Sequence, residues 1–273
     1  MSLVFAGISP HPPIIIPEIG KGEVKKVQKT IQGMKKLAAD FAKSDPETVI
    51  IISPHGLIFP DKMNICGAVK LAGDFANFGA PKISLKAEND LKLAHEISKN
   101  AEKNEIETIL YAQKGRGEEF ALDHGALVPL YYLMQEIGKI KILPISYSFC
   151  DILTHFAFGQ TIGEIIQNTK QRIAIIASGD LSHRLTLGAP AGFSKTGKIF
   201  DQKLIESLEK NQIKKLLQFD EDFLEEAGEC GFRSILILLG ALDKFKYQFQ
   251  KYSYEGPFGV GYLVANLKVK TKK

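Results

Sequence analysis

The chain has 273 residues, 45% of them hydrophobic and 24% charged, with a formal net charge of +4 at pH 7. That length suits one large α/β domain or two small ones, with residues enough for a full core. So mild a charge gives little support for nucleic-acid binding, and no apolar run reaches transmembrane length.

The opening MSLVFAGISPHPPIIIP is broken by prolines and lacks a basic start, so no secretory signal is expected. In chain order, residues 3–9 read as a buried strand and residues 21–43 as one helix. Val24, Val27, Ile31, Met34, Leu37, Ala38 and Phe41 give that helix its apolar face. TVIIIS at 48–53 is the next buried strand. Residues 56–87, rich in Gly, Pro and Asp, read as loops and short strands, with one strand over 64–73. A helix is expected over 88–103, a strand over 107–112, and a helix over 125–138 with Pro129 near its first turn. Two buried strands at 140–148 and 172–178 flank a helix that starts at Asp151. The stretch from Lys195 to about Leu242 reads as mainly helical, and the end as two strands around a Gly/Pro turn. Continuous apolar strands separated by helices predict an α/β fold, with a mixed or largely parallel central sheet covered by helices on both faces. The three cysteines have no CxxC spacing and read as reduced thiols, which places the protein in the cytoplasm.

Of the six histidines, four sit in turns beside apolar segments: His11 in SPHPP, His55 in SPHG, His124 in LDHGALVPL and His183 in SGDLSH. Ligands of α/β sheets collect outside the carboxyl ends of the strands. His11, His55 and His183 each follow a strand and can therefore converge. The prolines around His11 restrict the backbone on both sides, which suits an imidazole aimed before a metal arrives. His95 and His155 lie in helical patterns and read as packing or surface residues. A further ligand is sought in EEAGECGFRS, where Glu229 and Cys230 stand in a glycine-flanked turn. Two histidines with a carboxylate suit non-haem Fe(II), and two with a thiolate suit Zn or Cu. Spacing leaves that choice open. Asp123 and Asp180 read as turn caps or as acceptors behind the ligands. Residues 185–202 read either as a loop over the pocket or as a connector. The glycines of 254–262 lack a following helix and a GKS/T ending, and so form no phosphate loop.

The ordered set SPHPP, ISPHG, LDHGALVPL, SGDLSH and AGECG resembles the class III (LigB-type) extradiol ring-cleavage dioxygenases and the related Memo proteins, from Gly7 to about Tyr262. The resemblance implies a single LigB/Memo-like catalytic domain over residues 1–268, followed by a basic tail at 269–273. It implies that His11 and His55 bind Fe(II), that His183 acts as acid and base, and that His124 contacts substrate or dioxygen. The dioxygenase turn is similar to AGTEG, with glutamate as the third ligand. Here Cys230 takes the glutamate's place, similar to the CG of Memo proteins, and Glu229 falls one position earlier. Three readings follow. One is a dioxygenase that opens a small aromatic diol with O2 in aromatic catabolism. Another is a Memo-like Cu, Zn or Fe protein with a redox or interaction role. A metal-dependent hydrolase on the same scaffold is the third. The resemblance also implies a homo-oligomer, and a Memo-associated partner domain on a separate chain.

Overall fold

The structure, a computed structural model, describes residues 2–112 and 119–270. Its elements run β1 (Leu3–Ser9), α1 (Pro17–Gly20), α2 (Gln28–Lys43), β2 (Thr48–Ser53), β3 (Met63–Cys66), β4 (Lys70–Phe75), β5 (Ala80–Glu88), α3 (Leu91–Lys103), β6 (Thr108–Tyr111), β7 (Glu119–Ala121), α4 (His124–Leu133), β8 (Lys141–Ser146), α5 (Ile152–Asn168), β9 (Ile173–Ser178), α6 (Lys195–Glu209), α7 (Ile213–Leu216), α8 (Glu221–Ala227), α9 (Phe232–Ala241), β10 (Tyr247–Glu255) and β11 (Tyr262–Val269). The main sheet has the order β10-β11-β1-β9-β2-β8-β3-β6, and a smaller sheet the order β5-β4-β7.

The apolar strands occupy the centre. β1, β9, β2 and β8 are mutually parallel, while β11 and β3 flank them antiparallel. Alternation along these strands feeds two cores. Ile50, Ile52, Ile173 and Ile175 face one core with α3, α5, α6 and α9, and Val49, Ile51, Ala174 and Ile176 face the other with α2 and α4. Both faces are buried, which is why these strands read as unbroken apolar runs. The expected mixed α/β sheet, covered on both faces, is what forms. No helix among the described residues is long and apolar enough to cross a membrane.

Several boundaries differ from expectation. Residues 21–27 form a 3-10 helix, and only from Gln28 does the segment become α-helical. The Val24 to Val27 spacing of three fits either helix, so the pattern could not tell them apart. The strand expected over 64–73 splits into β3 and β4, which lie in different sheets. The Asn89 side chain holds the break by donating to Cys66 O and Ala68 O, each at 2.8 Å. Pro129 lies well inside α4, which starts at His124. Val269 still pairs with Tyr247 in the sheet, so the basic tail begins inside β11, and residues 271–273 of that tail lie outside the described residues.

Candidate metal centre

The four parallel strands all end in serine: Ser9, Ser53, Ser146 and Ser178. Ser9 is level with Ser178, and Ser53 with Ser146, so the hydroxyls form a row along one sheet edge. Two residues past the ends of β1 and β2 stand His11 and His55. His124 opens α4, whose N-cap is Asp123. The ligand atoms of His11, His55 and His124 lie within 4.8 Å of one another. His11 Nε2 faces His55 Nε2 at 3.0 Å, and the His55 and His124 rings stack with centroids 4.3 Å apart. Phe78, from the short turn between β4 and β5, sets its ring 5.5 Å from that of His124.

The tautomer of His11 follows from its neighbours. A proline has no N–H, so Pro129 leaves the Gly125 carbonyl, four residues earlier in α4, without a helical partner. The Ser178 hydroxyl donates to that carbonyl. It must therefore accept at its contact with His11 Nδ1, 3.0 Å away. Nδ1 carries the hydrogen, and Nε2 is bare and directed at the other imidazoles. The His11 backbone N–H donates to Asp180 Oδ1 at 3.0 Å. His55 is fixed differently. Its N–H donates to Ser53 Oγ at 3.2 Å, and that hydroxyl donates to Asp123 Oδ1 at 2.5 Å. Burial, then the neighbouring imidazoles, hold His11 well below the usual histidine range; burial and His124 lower His55 to about 4, against the opposing pull of Asp123. Burial lowers His124 as well. Three neutral imidazoles at this spacing are a donor set that fits a first-row divalent metal. Ser178→Ala is expected to lower metal affinity about 10- to 100-fold by releasing the His11 ring, as read by competitive chelator titration. An unchanged affinity would contradict the relay.

The turn at 228–231 divides its two candidate ligands. Cys230 Sγ lies 3.6 Å from His11 Nε2 and accepts from the Asp180 N–H at 3.3 Å. Burial, reinforced by Asp180 and Glu229, pushes its thiol well above the ordinary range. Glu229 turns instead to the start of α9, where its Oε2 accepts from the Phe232 N–H at 2.5 Å. Burial raises that carboxyl to about 7.

His183 donates through Nδ1–H to the Gly228 carbonyl at 2.8 Å, which leaves its Nε2 bare as well. Burial lowers its pKa, so the ring is neutral at pH 7, and it lies close enough to depress the pKa of His11 and His55. Behind it, Asp201 of α6 accepts from the Ser182 N–H at 2.9 Å and from the Tyr254 hydroxyl at 2.6 Å. Burial pushes the Asp201 carboxyl up to about 7. The folded pKa is raised above the unfolded value, so protonation favours the fold. The contribution is complete below about pH 4 and is lost as pH rises through 7. The denaturation midpoint of Asp201→Asn is therefore expected to fall less than that of the wild type between about pH 5 and pH 8. Equal slopes would contradict this.

The structure thus brings His11, His55 and His124 together with Cys230 beside them, sets His183 nearby, and directs Glu229 elsewhere. Asp123 is a helix cap, and Asp180 serves the His11 backbone. The 185–194 segment leans on the β10–β11 turn through Leu185 N–H to Gly259 O at 3.0 Å. His155 is fully buried and bonds to the Asp151 carbonyl at 2.7 Å, while His95 is exposed. Sequence reasoning missed Ser178, Ser53, Phe78 and the Gly125 carbonyl. Two signals were available: the serine closing each parallel strand, and the proline placed to free one carbonyl of α4.

Fold and centre define a class of α/β proteins with a histidine cluster at the carboxyl ends of parallel strands. The chain belongs to the LigB family: the family model "Catalytic LigB subunit of aromatic ring-opening dioxygenase" matches residues 6–265. It is 35% identical over 271 residues to protein CA_C1420 of Clostridium acetobutylicum, covering 98% of this chain and 58% of that protein. The chain therefore spans less than two thirds of that relative. It is 25% identical over 234 residues to 3,4-dihydroxyphenylacetate 2,3-dioxygenase of Escherichia coli, covering 81% of this chain and 82% of the enzyme. A MEMO1 family protein of Methanosarcina acetivorans is 26% identical over 123 residues, 45% of this chain and 43% of that protein. The resemblance to both the dioxygenases and the Memo proteins is borne out.

Proposed function

We propose that this protein is an Fe(II)-dependent extradiol dioxygenase that opens a catechol-type ring with O2, and that His11, His55 and His124 hold the metal. The observation that carries this reading is the convergence of imidazole donors, with the bare Nε2 of His11 among them, beside a neutral histidine whose own Nε2 is free. A bound ferrous ion would supply Lewis acidity and the redox chemistry of O2. The chain supplies the rest. His183 Nε2 accepts a proton from a substrate hydroxyl and returns it later, because a neutral imidazole is a competent base near pH 7. Phe78 and the stacked His55 and His124 rings offer an aromatic wall for the substrate. Iron-loaded protein is expected to consume O2 with some member of a broad catechol panel and to give a yellow ring-opened product. Failure with every member, in protein shown to hold iron, would remove this reading.

A second reading rests on Cys230. Its sulfur is within 3.6 Å of His11 Nε2, while Glu229 caps α9. This favours a Memo-like centre that includes a thiolate, takes Cu or Zn as readily as Fe, and serves a redox or interaction role without ring cleavage. Cys230→Ser is expected to weaken metal binding, whereas Glu229→Gln leaves it intact, as read by metal analysis after dialysis. The reverse pattern would restore Glu229 as a ligand.

A further inference from the structure

Helix α8 ends with carbonyls that have no helical partner. Three consecutive residues take them. Ser182 Oγ donates to Ala227 O at 2.6 Å, and Arg184 Nη1 donates to Glu226 O at 3.0 Å. His183 donates twice to Gly228 O, through its backbone N–H at 2.9 Å and through Nδ1–H at 2.8 Å. One carbonyl therefore fixes both the position and the tautomer of the His183 ring. Arg184 packs against the same residue, Gly228. Gly228 is left-handed at φ 62, and a Cβ there would meet Arg184 Cδ at 2.9 Å and Cγ at 3.1 Å, so the arginine stem lies directly against it. The far end of Arg184 is pinned as well, by Nε–H to Ala191 O at 2.9 Å. Among the described residues Arg184 forms no ion pair. Its positive charge is spent on the carbonyl end of α8, where the helix dipole favours a cation.

We propose that Arg184 is a positioning residue for His183. It clamps the end of α8 so that Gly228 O holds the ring with Nδ1 protonated and Nε2 bare. Without the clamp, Glu226 O loses its partner and Gly228 loses the stem packed against it, so the turn that carries Gly228 O can shift. The ring then samples the other tautomer, whose Nε2 carries a hydrogen and cannot accept one. The catalytic part of this inference rests on His183 being the proton acceptor proposed above; the structural part does not. A residue that merely capped α8 would change stability while leaving the His183 tautomer and the turnover alone.

The test uses the full chain with Arg184→Ala and Arg184→Lys. The first readout is the imidazole nitrogen NMR spectrum of the metal-free protein, with the His183 signals assigned by their loss in His183→Gln. Wild-type His183 is expected to be the Nδ1–H tautomer, and Arg184→Ala to show a mixture with Nε2–H. The second readout is O2 uptake by iron-loaded protein. There kcat is expected to fall on the order of tenfold to a hundredfold, with KM within about twofold of wild type. Arg184→Lys keeps its stem against Gly228 and its charge, and is expected to fall between the two. If Arg184→Ala does not fold, the lysine variant carries both readouts. A folded variant with the wild-type His183 spectrum would overturn the proposal. If no catechol supports O2 uptake, the dioxygenase reading fails by itself, and the tautomer spectrum still decides the role of Arg184.

Discussion

Replacing His183 by alanine is expected to lower the turnover of iron-loaded protein by roughly 10²- to 10⁴-fold, the usual worth of a positioned acid–base group, while its metal content stays at the wild-type level. The reason is the separation of tasks at the sheet edge. His11, His55 and His124 face one another, whereas His183 faces Gly228 O with Nδ1, and in the dioxygenase reading proposed above its Nε2 serves the substrate. Burial lowers its pKa. The ring therefore starts neutral at physiological pH, and activity should decline only as the solution becomes acid enough to protonate it. O2 uptake and metal analysis on the same preparation check both halves. Turnover within a small factor of wild type would show that the proton goes elsewhere. Loss of metal together with turnover would make His183 a ligand.

The parallel core of the fold was legible because its cause is local. Strands such as TVIIIS and RIAIIAS are apolar at every position between their end residues, and only burial on both faces accommodates that. The edges were less legible. β3 and β4 read as one strand, since nothing in NICGAVKLAG announces that a distant Asn89 will hold Cys66 O and Ala68 O apart from a continuous ladder. The 3-10 segment before α2 was hidden by an apolar spacing common to both helix types.

At the centre, sequence found the histidines because proline and glycine mark their turns. It could not rank them. His124 read as a pocket residue, yet its ligand atom stands with those of His11 and His55. Nor could it choose between Glu229 and Cys230. Adjacent residues in a turn point in different directions, and the direction here is set by the Phe232 N–H, which captures the Glu229 carboxylate. The groups that orient the imidazoles were the least visible. Ser178, the Gly125 carbonyl and the Gly228 carbonyl come from three separate segments. Their roles emerge only when the sheet places Ser9 beside Ser178 and brings α4 and α8 to the same edge.

Gly179→Ala is expected to damage the fold and the metal centre together. Gly179 lies against Gly231 backbone to backbone, and a Cβ on it would stand 2.0 Å from Gly231 Cα. No side chain can rotate to make room, so the chain must part by about 1 Å or more to reach an ordinary contact. Overpacking of this kind costs about 1–3 kcal/mol, with rigid backbone neighbours towards the upper end. The displacement is not neutral for the centre. Asp180 follows Gly179 directly and accepts from the His11 N–H, while Cys230 precedes Gly231 and presents its sulfur to His11 Nε2. Pushing the two turns apart therefore moves the groups that hold His11 on both sides. Gly188→Ala is the control, since nothing lies within 4 Å of a Cβ there; it is expected to stay within about 0.5 kcal/mol of wild type. Urea denaturation and chelator competition on the two variants read stability and metal affinity separately. A Gly179→Ala protein as stable and as metal-avid as Gly188→Ala would mean that the turns separate without disturbing His11, and that the close approach of the two glycines is incidental to the site.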